Sequence, residues 1–349
     1  GLNEPGTPPL KFVRRFAELH RSIVCAVQQY AESVRQRVFP AAKNVFGAIA
    51  GTIPAEPAPL PIRAKTVPEL KAALAGRRAN GPVGLVPTMG ALHAGHVSLI
   101  EKARSECSTV VASIYVNPTQ FGPTEDLANY PRDLEGDIAK LASAGCDIVF
   151  FPDNASMYPA GEMTRVTVNG CLTEGLCSRA RPGHFTGVAT IVLKLLNLIR
   201  PDRAYFGEKD AQQLRVIRRM AADLFIDAEI IGCPIVREQD GLAMSSRNAY
   251  LTPEERKTAP QLNAILREAG TRIEAGERSP DAITEFMKQR ISAMKGAGLD
   301  YAEAVSSDTL LKPHRLSGDT LLLVAARFGK ARLIDNLLVR IPEGTNQCC

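Results

Sequence analysis

The sequence of 349 residues contains no tryptophan, and aromatic residues make up only 5% of it. Proteins that bind single-stranded nucleic acid stack bases on aromatic side chains, so we expect no such surface here. The sequence also lacks an uninterrupted apolar run of about 18 residues, the length that a membrane-spanning helix needs. We therefore expect neither a nucleic-acid partner nor a transmembrane segment.

The eight cysteines form no Cys-x-x-Cys pair, the spacing that zinc sites and thiol redox motifs commonly use. Six of them are scattered, and only Cys348 and Cys349 are adjacent. We expect free thiols in a reducing compartment, and hence a cytoplasmic protein. The formal net charge of +5 suits small anionic ligands without requiring nucleic acid.

Residues 1–62 differ from the rest of the chain by their basic, acid-poor composition. Apolar residues at near-helical spacing predict one or two amphipathic helices within Leu10–Gly51. Four prolines between residues 54 and 61 predict a stiff, extended linker. A transit peptide, a membrane-surface helix, a partner-binding helix and a sequence added for expression all fit this segment, so organellar targeting stays open.

Residues 63–240 alternate between apolar, β-branched runs and stretches of helical spacing. The predicted strands are Val83–Val86, Thr109–Val116, Asp147–Phe151, Ala204–Phe206 and Ala228–Gly232. The predicted helices between them are Gly95–Ser105, Leu134–Ala144, Thr186–Ile199 and Ala211–Leu224. This alternation predicts an α/β, Rossmann-like parallel sheet with helices on both faces. Ligands of such sheets bind at the carboxyl ends of the strands.

Residues 241–349 have the pattern of a smaller C-terminal α+β domain. Thr252 is a suitable N-cap for a helical stretch that begins at Pro253 and runs to about Glu274. A further helix is predicted over Pro280–Met294. Three strands follow, over Asp300–Val305, Leu321–Ala326 and Arg332–Val339.

The motif His93-Ala94-Gly95-His96 stands between a predicted strand and a predicted helix. Two histidines three residues apart at a helix start project to one side. The free N–H groups and the positive dipole end favour an anion there, and Gly95 lets a ligand approach the backbone closely. The motif predicts a phosphate site with two proton donors or charge stabilisers, although alone it also fits an ordinary turn.

A second motif, Met244-Ser245-Ser246-Arg247, lies in a loop of small and polar residues. Two hydroxyls and a guanidinium can surround a triphosphate while its reacting phosphorus passes through a five-coordinate transition state. Such catalysis needs positioning and charge stabilisation more than a protein nucleophile. No Ser-His-Asp or Cys-His motif stands out, which agrees with that chemistry. Alone, this segment would be interpreted as a polar surface loop.

Three further segments follow predicted strands or begin predicted helices. In Gly207-Glu208-Lys209-Asp210, the lysine can meet a phosphate and the aspartate can accept from ribose hydroxyls, or the two form only a surface charge pair. Gln120 suits a substrate with hydroxyl and carboxylate groups, or caps its own loop. Arg181–Gly187 fits an anion contact, a lid support or an ordinary helix N-cap.

Mg²⁺ should accompany a triphosphate, held mainly by phosphate oxygens with one carboxylate. The candidate carboxylates are Asp133, Glu135 and Asp137. A solvated helix face explains these three residues equally well.

Together these residues resemble the nucleotidylyltransferase superfamily, with its His-x-Gly-His and Lys-Met-Ser-Lys-Ser-like signatures. More closely, they resemble the pantothenate synthetase (pantoate–β-alanine ligase) family from about Val67 to Val339. The matching segments are Val86–His96, Ser113–Phe121, Tyr130-Pro131-Arg132, Arg181–Val188, Pro201–Gln213 and Gly241–Leu251. Met-Ser-Ser-Arg lacks the lysines of the superfamily signature but is the form of this ligase family, and Ala94 stands where an acidic residue is common.

The resemblance implies an AMP-forming ligase of pantothenate biosynthesis, in the coenzyme A pathway. ATP and pantoate would give an enzyme-bound pantoyl adenylate and pyrophosphate, and the amine of β-alanine would then displace AMP to give pantothenate. The implied ATP site comprises Met89, Gly90, Ala91, Leu92, His93, Ala94, Gly95, His96, Gly207, Glu208, Lys209, Asp210, Val236, Met244, Ser245, Ser246 and Arg247. Of these, the implied catalytic residues are His93, His96, Lys209, Ser245, Ser246 and Arg247.

By the same resemblance Gln120 and Gln213 hold pantoate, Asp137 binds Mg²⁺, residues 241–349 form a lid and the protein is a homodimer. Two other functions remain open from the sequence. A different nucleotidylyltransferase would release pyrophosphate without forming AMP. A non-catalytic binding protein would use the fold and the basic N-terminal helices to contact a membrane or a partner.

Overall fold

The computed structural model describes residues 27–33, 59–123, 125 and 127–342. The chain divides into two units, residues 1–57 and 58–349. In the first unit, residues 27–33 are helical, within the predicted amphipathic segment. The rest of that segment, most of the proline-rich linker and the Cys348-Cys349 tail lie outside the described residues.

In the second unit, six parallel strands form one sheet. They are β1 (Ile62–Ala64), β2 (Val83–Thr88), β3 (Thr109–Ile114), β4 (Ile148–Phe150), β5 (Arg203–Gly207) and β6 (Glu229–Cys233). Their order across the sheet is β1-β4-β3-β2-β5-β6. The short edge strand β1 was not predicted, whereas the other five lie within a few residues of their predicted positions.

The helices that connect these strands cover both faces of the sheet. They are α1 (Val67–Leu74), α2 (Ala94–Glu106), α3 (Leu134–Ser143), α4 (Asn154–Met157), α5 (Cys177–Ala180), α6 (His184–Ile199) and α7 (Ala211–Asp223). Successive strand residues point to opposite faces, so Leu85 packs in the core formed with α1, α6 and α7, while Val86 packs with α2 and α3. The predicted Rossmann-like α/β fold with helices on both faces is confirmed.

The chain winds from β2 through β3 to β4 on one side of the sheet and then returns to place β5 beside β2. This reversal is the topological switch point, where the loops after the two strands diverge and leave a crevice. The loop after β2, the loop after β3 and the turn after β5 therefore end at one edge of the sheet.

The remainder of the unit is a smaller α+β region, as predicted. It comprises α8 (Pro253–Thr258), α9 (Gln261–Glu274), α10 (Pro280–Ser292), β7 (Ala297–Ser306), β8 (Gly318–Phe328) and β9 (Ala331–Ile341), with the three strands antiparallel in the order β7-β8-β9. The helical stretch predicted from Pro253 to about Glu274 is present as two helices, α8 and α9. The chain breaks at Ala259–Pro260, because Pro260 has no N–H to donate to the preceding turn.

Alternate residues of β8 bury opposite faces of the small sheet. Leu322 and Val324 pack in the core formed with α9 and α10. Leu321 and Leu323 instead pack in a separate core with Phe185 and other residues of the first region. The small sheet is therefore covered on both faces. No helix in the described ranges is long and apolar enough to cross a membrane.

Candidate active site

The loop after β2 is fixed by a buried carboxylate. The main-chain N–H groups of Ala91 and Leu92 donate to the two oxygens of Asp137, at 2.8 and 2.7 Å. Lys140 Nζ donates to the Leu92 carbonyl at 2.8 Å. Gly90 and Ala91 both have positive φ, which a glycine adopts freely and an alanine only under strain. Asp137 thus holds a strained loop that sets the start of α2.

The two histidines of the first motif cap α2 by a reciprocal pair of hydrogen bonds. His93 Nδ1 accepts the N–H of Gly95 at 3.1 Å, and His96 Nδ1 accepts the N–H of His93 at 3.3 Å. Imidazoles here perform the roles that Ser or Thr and Glu perform in the usual capping box. Because each Nδ1 acts as an acceptor, the proton of each neutral ring is on Nε2. The two rings lie with their centroids 4.1 Å apart.

The electrostatic environment keeps both rings neutral. Burial, with help from the charge of Lys209, lowers the pKa of His93 to about 4. Burial, followed by the neighbouring His93 and Lys209, lowers the pKa of His96 to about 3. At neutral pH the pair therefore offers two N–H donors without a positive charge of its own.

Gln120 follows β3 and its side chain is buried within a polar network. Its Oε1 accepts from Asn117 Nδ2 at 3.2 Å, and its Nε2 donates to the sulfur of Met89 at 2.9 Å. Asn117 Nδ2 also donates to the carbonyl of Gly187 at 3.1 Å, which joins this loop to α6. The amide of Gln120 is thus held in place while one of its N–H groups has only a weak sulfur acceptor.

The Arg181–Gly187 motif holds the same loop in place through hydrogen bonds and an ion pair. Arg181 forms a bidentate pair with Glu125, with both N···O distances 2.7 Å, and its NH1 lies 2.9 Å from His184 Nε2. The opposite nitrogen, Nδ1 of His184, lies 2.8 Å from the main-chain oxygen of Gln120 and donates to it. Burial and the adjacent Arg181 lower the pKa of His184 to about 4, so this ring also stays neutral. Sequence reasoning did not find this positioning role, since the partners are far apart in the chain.

The turn after β5 presents Lys209 and Asp210. Asn336 of β9 donates to the carbonyls of Glu208 and Lys209, each at 3.0 Å. In the following helix, Gln212 is buried and donates to the carbonyls of Leu172 and Gly175. Its neighbour Gln213 faces the cavity described below.

The second motif is placed by a hairpin over residues 236–244. The Met244 N–H donates to the Val236 carbonyl at 3.0 Å. The Ser245 hydroxyl then accepts the N–H of Arg247 at 3.3 Å and caps a 3₁₀ turn. Arg237 ties the hairpin to β9 through a bidentate pair with Asp335, at 2.7 and 2.9 Å.

These loops enclose a cavity of about 230 Å³ at the switch point. The predicted residues that line it are Met89, His93, Gly95, His96, Gln120, Arg181, His184, Gly207, Lys209, Asp210, Gln213, Val236, Met244, Ser245, Ser246 and Arg247. Tyr130, which belongs to one of the segments that resemble the family, lines the cavity as well. An apolar wall from α6 completes it, and sequence reasoning missed this wall because α6 has the pattern of a core helix.

Other predicted residues do not line this cavity: Gly90, Ala91, Leu92, Ala94, Glu208 and Asp137. Asp137 is only 1% exposed, and its two oxygens already accept from the β2 loop. Within the described ranges, no group of three or more His, Cys, Asp or Glu side chains could hold a metal ion. The assignment of Asp137 to Mg²⁺ stays a prediction.

A parallel sheet whose switch-point cavity combines a helix N-terminus with lysine, arginine and hydroxyl groups belongs to the nucleotide-binding α/β class. The family model described as pantoate-beta-alanine ligase matches residues 63–338. The pantothenate synthetase of Acetivibrio thermocellus is 51% identical over 278 residues, covering 79% of this chain and 99% of that protein.

Solved structures show the same relationship. The pantothenate synthetase of Thermus thermophilus is 48% identical with a TM-score of 0.76, covering 79% of this chain and 98% of its own. The pantoate-beta-alanine ligase of Francisella tularensis is 37% identical with a TM-score of 0.67, covering 80% of this chain and 97% of its own. The chain belongs to the pantoate-β-alanine ligase family. It is therefore an enzyme, as the sequence predicted.

Proposed function

We propose that the chain catalyses the ATP-dependent condensation of pantoate with β-alanine to pantothenate, through a pantoyl adenylate. The observation that carries this proposal is the convergence of the two histidines, Lys209 and the Ser/Arg motif around one cavity in a member of this family. The Francisella tularensis ligase was solved as a complex with β-γ ATP and β-alanine. That complex is the precedent for placing ATP in the cavity of this chain.

In the first step a pantoate carboxylate oxygen forms a bond to the α-phosphorus of ATP. The bond from that phosphorus to the bridging oxygen breaks, and pyrophosphate leaves with the electron pair. The Nε2–H groups of His93 and His96, together with Lys209 and Arg247, stabilise the charge that grows on the phosphates. Ser245 and Ser246 add hydroxyl donors at the same end of the cavity.

Gln120 and Gln213 hold pantoate. A pantoate oxygen accepts the Gln120 N–H that otherwise meets only the Met89 sulfur, so substrate binding exchanges a weak acceptor for a strong one. In the second step the neutral amine of β-alanine attacks the acyl carbon, and its nitrogen releases a proton to solvent as the amide forms. The bond from carbon to the phosphate oxygen breaks, and AMP leaves with its electron pair.

Mg²⁺ has no preformed cage among the described residues, because Asp137 is committed to the β2 loop. We propose that Mg²⁺ enters with ATP, bound mainly by phosphate oxygens, as this ion prefers in nucleotide sites. The residues of the chain then act on the phosphates directly.

Four broader assignments follow from the family resemblance. Residues 63–240 form the catalytic domain, residues 241–349 form a lid over it, the protein is a homodimer, and it is cytoplasmic. The free cysteines among the described residues agree with a reducing compartment. Light scattering coupled to size exclusion tests the dimer.

The decisive experiment measures AMP release from ATP and Mg²⁺ with pantoate, in the presence and absence of β-alanine. We expect sustained AMP formation only when both substrates are present, with one pantothenate formed for each AMP. Pyrophosphate release without AMP would instead assign the chain to a different nucleotidylyltransferase activity.

A further inference from the structure

A second cavity, which we call the outer cavity, opens beside the candidate active site. Its volume is about 590 Å³, and it shares with the cavity already described the residues Arg181, His184, Lys209, Asp210, Gln213, Ser245 and Arg247. Its opposite wall comes from β8, β9 and the turn between them. The two cavities therefore meet where the phosphates of ATP are proposed to lie.

The outer cavity carries an excess of positive charge. Its cationic side chains are Arg181, Lys209, Arg247, Arg327, Lys330 and Arg332. Its carboxylates are Glu125, Asp210 and Asp335. Two of these carboxylates already belong to bidentate pairs, Glu125 with Arg181 and Asp335 with Arg237.

Three of the cations have no carboxylate partner in the part of the chain that the structure describes. They are Lys209, Arg327 and Lys330. Asp210 is the remaining carboxylate of the cavity, so these cations exceed the available counter-charge there. A cavity with this balance attracts anions with more than one negative charge.

The small sheet places two of the guanidinium groups side by side. Arg327 of β8 is the register partner of Arg332 of β9. Like charges directly opposite on neighbouring strands are destabilising. Arg332 is compensated by Asp300, whose Oδ2 accepts from its Nε at 2.7 Å. Arg327 has no such compensation within the described residues, so an anion in the outer cavity would relieve the repulsion.

We propose that the outer cavity binds the pyrophosphate released in the first step, an inference that rests on the proposed function. As the bond from the α-phosphorus to the bridging oxygen breaks, the leaving pyrophosphate is held first by Lys209 and Arg247. Arg327 and Lys330 then bind it at the opposite wall of the outer cavity, which we call the far wall. This transfer moves the anion away from the adenylate before β-alanine attacks.

The test compares two double variants with the same change in charge. Arg327→Gln/Lys330→Gln removes the far-wall cations. Lys295→Gln/Arg315→Gln removes two exposed cations of the same small region that line neither cavity. Equilibrium dialysis measures the binding of radiolabelled inorganic pyrophosphate, and separately of ATP, to the full-length wild type and both variants.

We expect the far-wall variant to bind pyrophosphate about tenfold more weakly, through the loss of two charge-assisted contacts, while its ATP affinity changes less than twofold. The control variant should match the wild type for both ligands. Pyrophosphate affinity equal to that of the control would overturn the proposal. An equal loss for ATP would also overturn it, because the cations would then belong to the triphosphate site.

Two controls keep the result interpretable. If thermal unfolding shows that the double variant is not folded, Lys330→Gln alone, in an exposed turn, is tested against Lys295→Gln. The pyrophosphate is added directly, so its binding does not depend on turnover. Failure of the wild type to form AMP would overturn the proposed function, whereas equal pyrophosphate binding by the two double variants would overturn this inference alone.

Discussion

At the residue scale, the main feature of the site is that its histidines are neutral. His93 and His96 use Nδ1 to cap a helix and have strongly lowered pKa values, so they present Nε2–H donors. A general acid operating near neutral pH would need a pKa near that pH. We therefore predict that the two rings act on phosphate charge as neutral hydrogen-bond donors, without forming an imidazolium.

The first prediction concerns His96. His96→Ala should lower kcat about 100-fold by removing a donor to the developing phosphate charge, whereas His96→Gln should recover part of the rate because an amide can both accept and donate. The exposed His314→Ala serves as the control and should leave kcat unchanged. A loss of less than tenfold in His96→Ala would contradict the assigned role.

The pH dependence follows from the same residue. Because the pKa values of His93 and His96 lie at about 4 and 3, both rings stay neutral as the pH falls through 6.5. The kcat/KM profile of the wild type should therefore show no acidic limb near pH 6.5 that belongs to these rings. Such a limb, absent from His96→Gln, would show that the imidazolium is the active form.

A second prediction tests the pantoate site. Gln120→Ala should weaken pantoate binding by about 1–3 kcal/mol, seen as a raised KM for pantoate with the KM for ATP nearly constant, because one buried hydrogen bond is lost. Gln289→Ala, in the exposed face of α10, is the matched control. An unchanged KM for pantoate in Gln120→Ala would place the pantoate site elsewhere.

At the scale of elements, the start of α2 depends on a residue of α3. Asp137 accepts two N–H groups from a loop that contains a strained alanine, so α3 fixes the geometry of the site without lining it. The family resemblance implies that this carboxylate is a metal ligand, and that assignment stays a prediction. In the structure its two oxygens accept backbone N–H groups, and the ammonium of Lys140 lies 3.8 Å from Oδ1.

The third prediction separates these two roles of Asp137. Asp137→Asn should lower the free energy of unfolding by about 2–3 kcal/mol, since one N–H of the loop then faces an amide N–H. The Mg²⁺ concentration that gives half-maximal rate should stay within twofold of the wild type. Glu135→Gln, an exposed residue of α3 paired with Arg63, should leave the free energy of unfolding nearly unchanged, because water screens this pair. A tenfold rise in the Mg²⁺ requirement with little loss of stability would make Asp137 a metal ligand.

Most elements of the fold were predictable because the sequence patterns that produce them lie within the elements themselves or at their ends. Apolar runs gave β2 to β6, and the Thr252-Pro253 start of α8 is a capping pattern that the structure contains. The site motifs were predictable because they follow strands at the switch point. The links from Arg181 to Gln120 and from Asn336 to Lys209 were not, because they join residues that only the tertiary fold brings together.

At the scale of the whole molecule, one buried ion pair joins the nucleotide-binding part to the small sheet. Arg237 of the hairpin and Asp335 of β9 form a bidentate contact, and the Asp335 side chain is only 3% exposed. The neighbouring Asn336 holds the Lys209 turn. The position of β9 therefore sets the position of two loops that line the cavity.

The fourth prediction is that Asp335→Ala lowers the free energy of unfolding by about 3 kcal/mol, because it leaves the Arg237 charge buried without its partner. Asp319→Ala removes the exposed partner of Arg340 on the same sheet and should cost about 0.5 kcal/mol or less. Urea unfolding measures both. A loss for Asp335→Ala no larger than that of the control would show that the pair contributes nothing to holding β9.

The coverage of both faces of the small sheet limits how the proposed lid can move. Leu321 and Leu323 of β8 are nearly inaccessible to solvent on the side that meets the first region. A hinge opening would expose that face to water, at a free-energy cost of about 5 kcal/mol for every 200 Å² of apolar surface exposed. Sliding the sheet along this apolar interface keeps it dry. Substrates should therefore be admitted by a shear of the small region and by adjustment of the hairpin over residues 236–244, without the sheet lifting away.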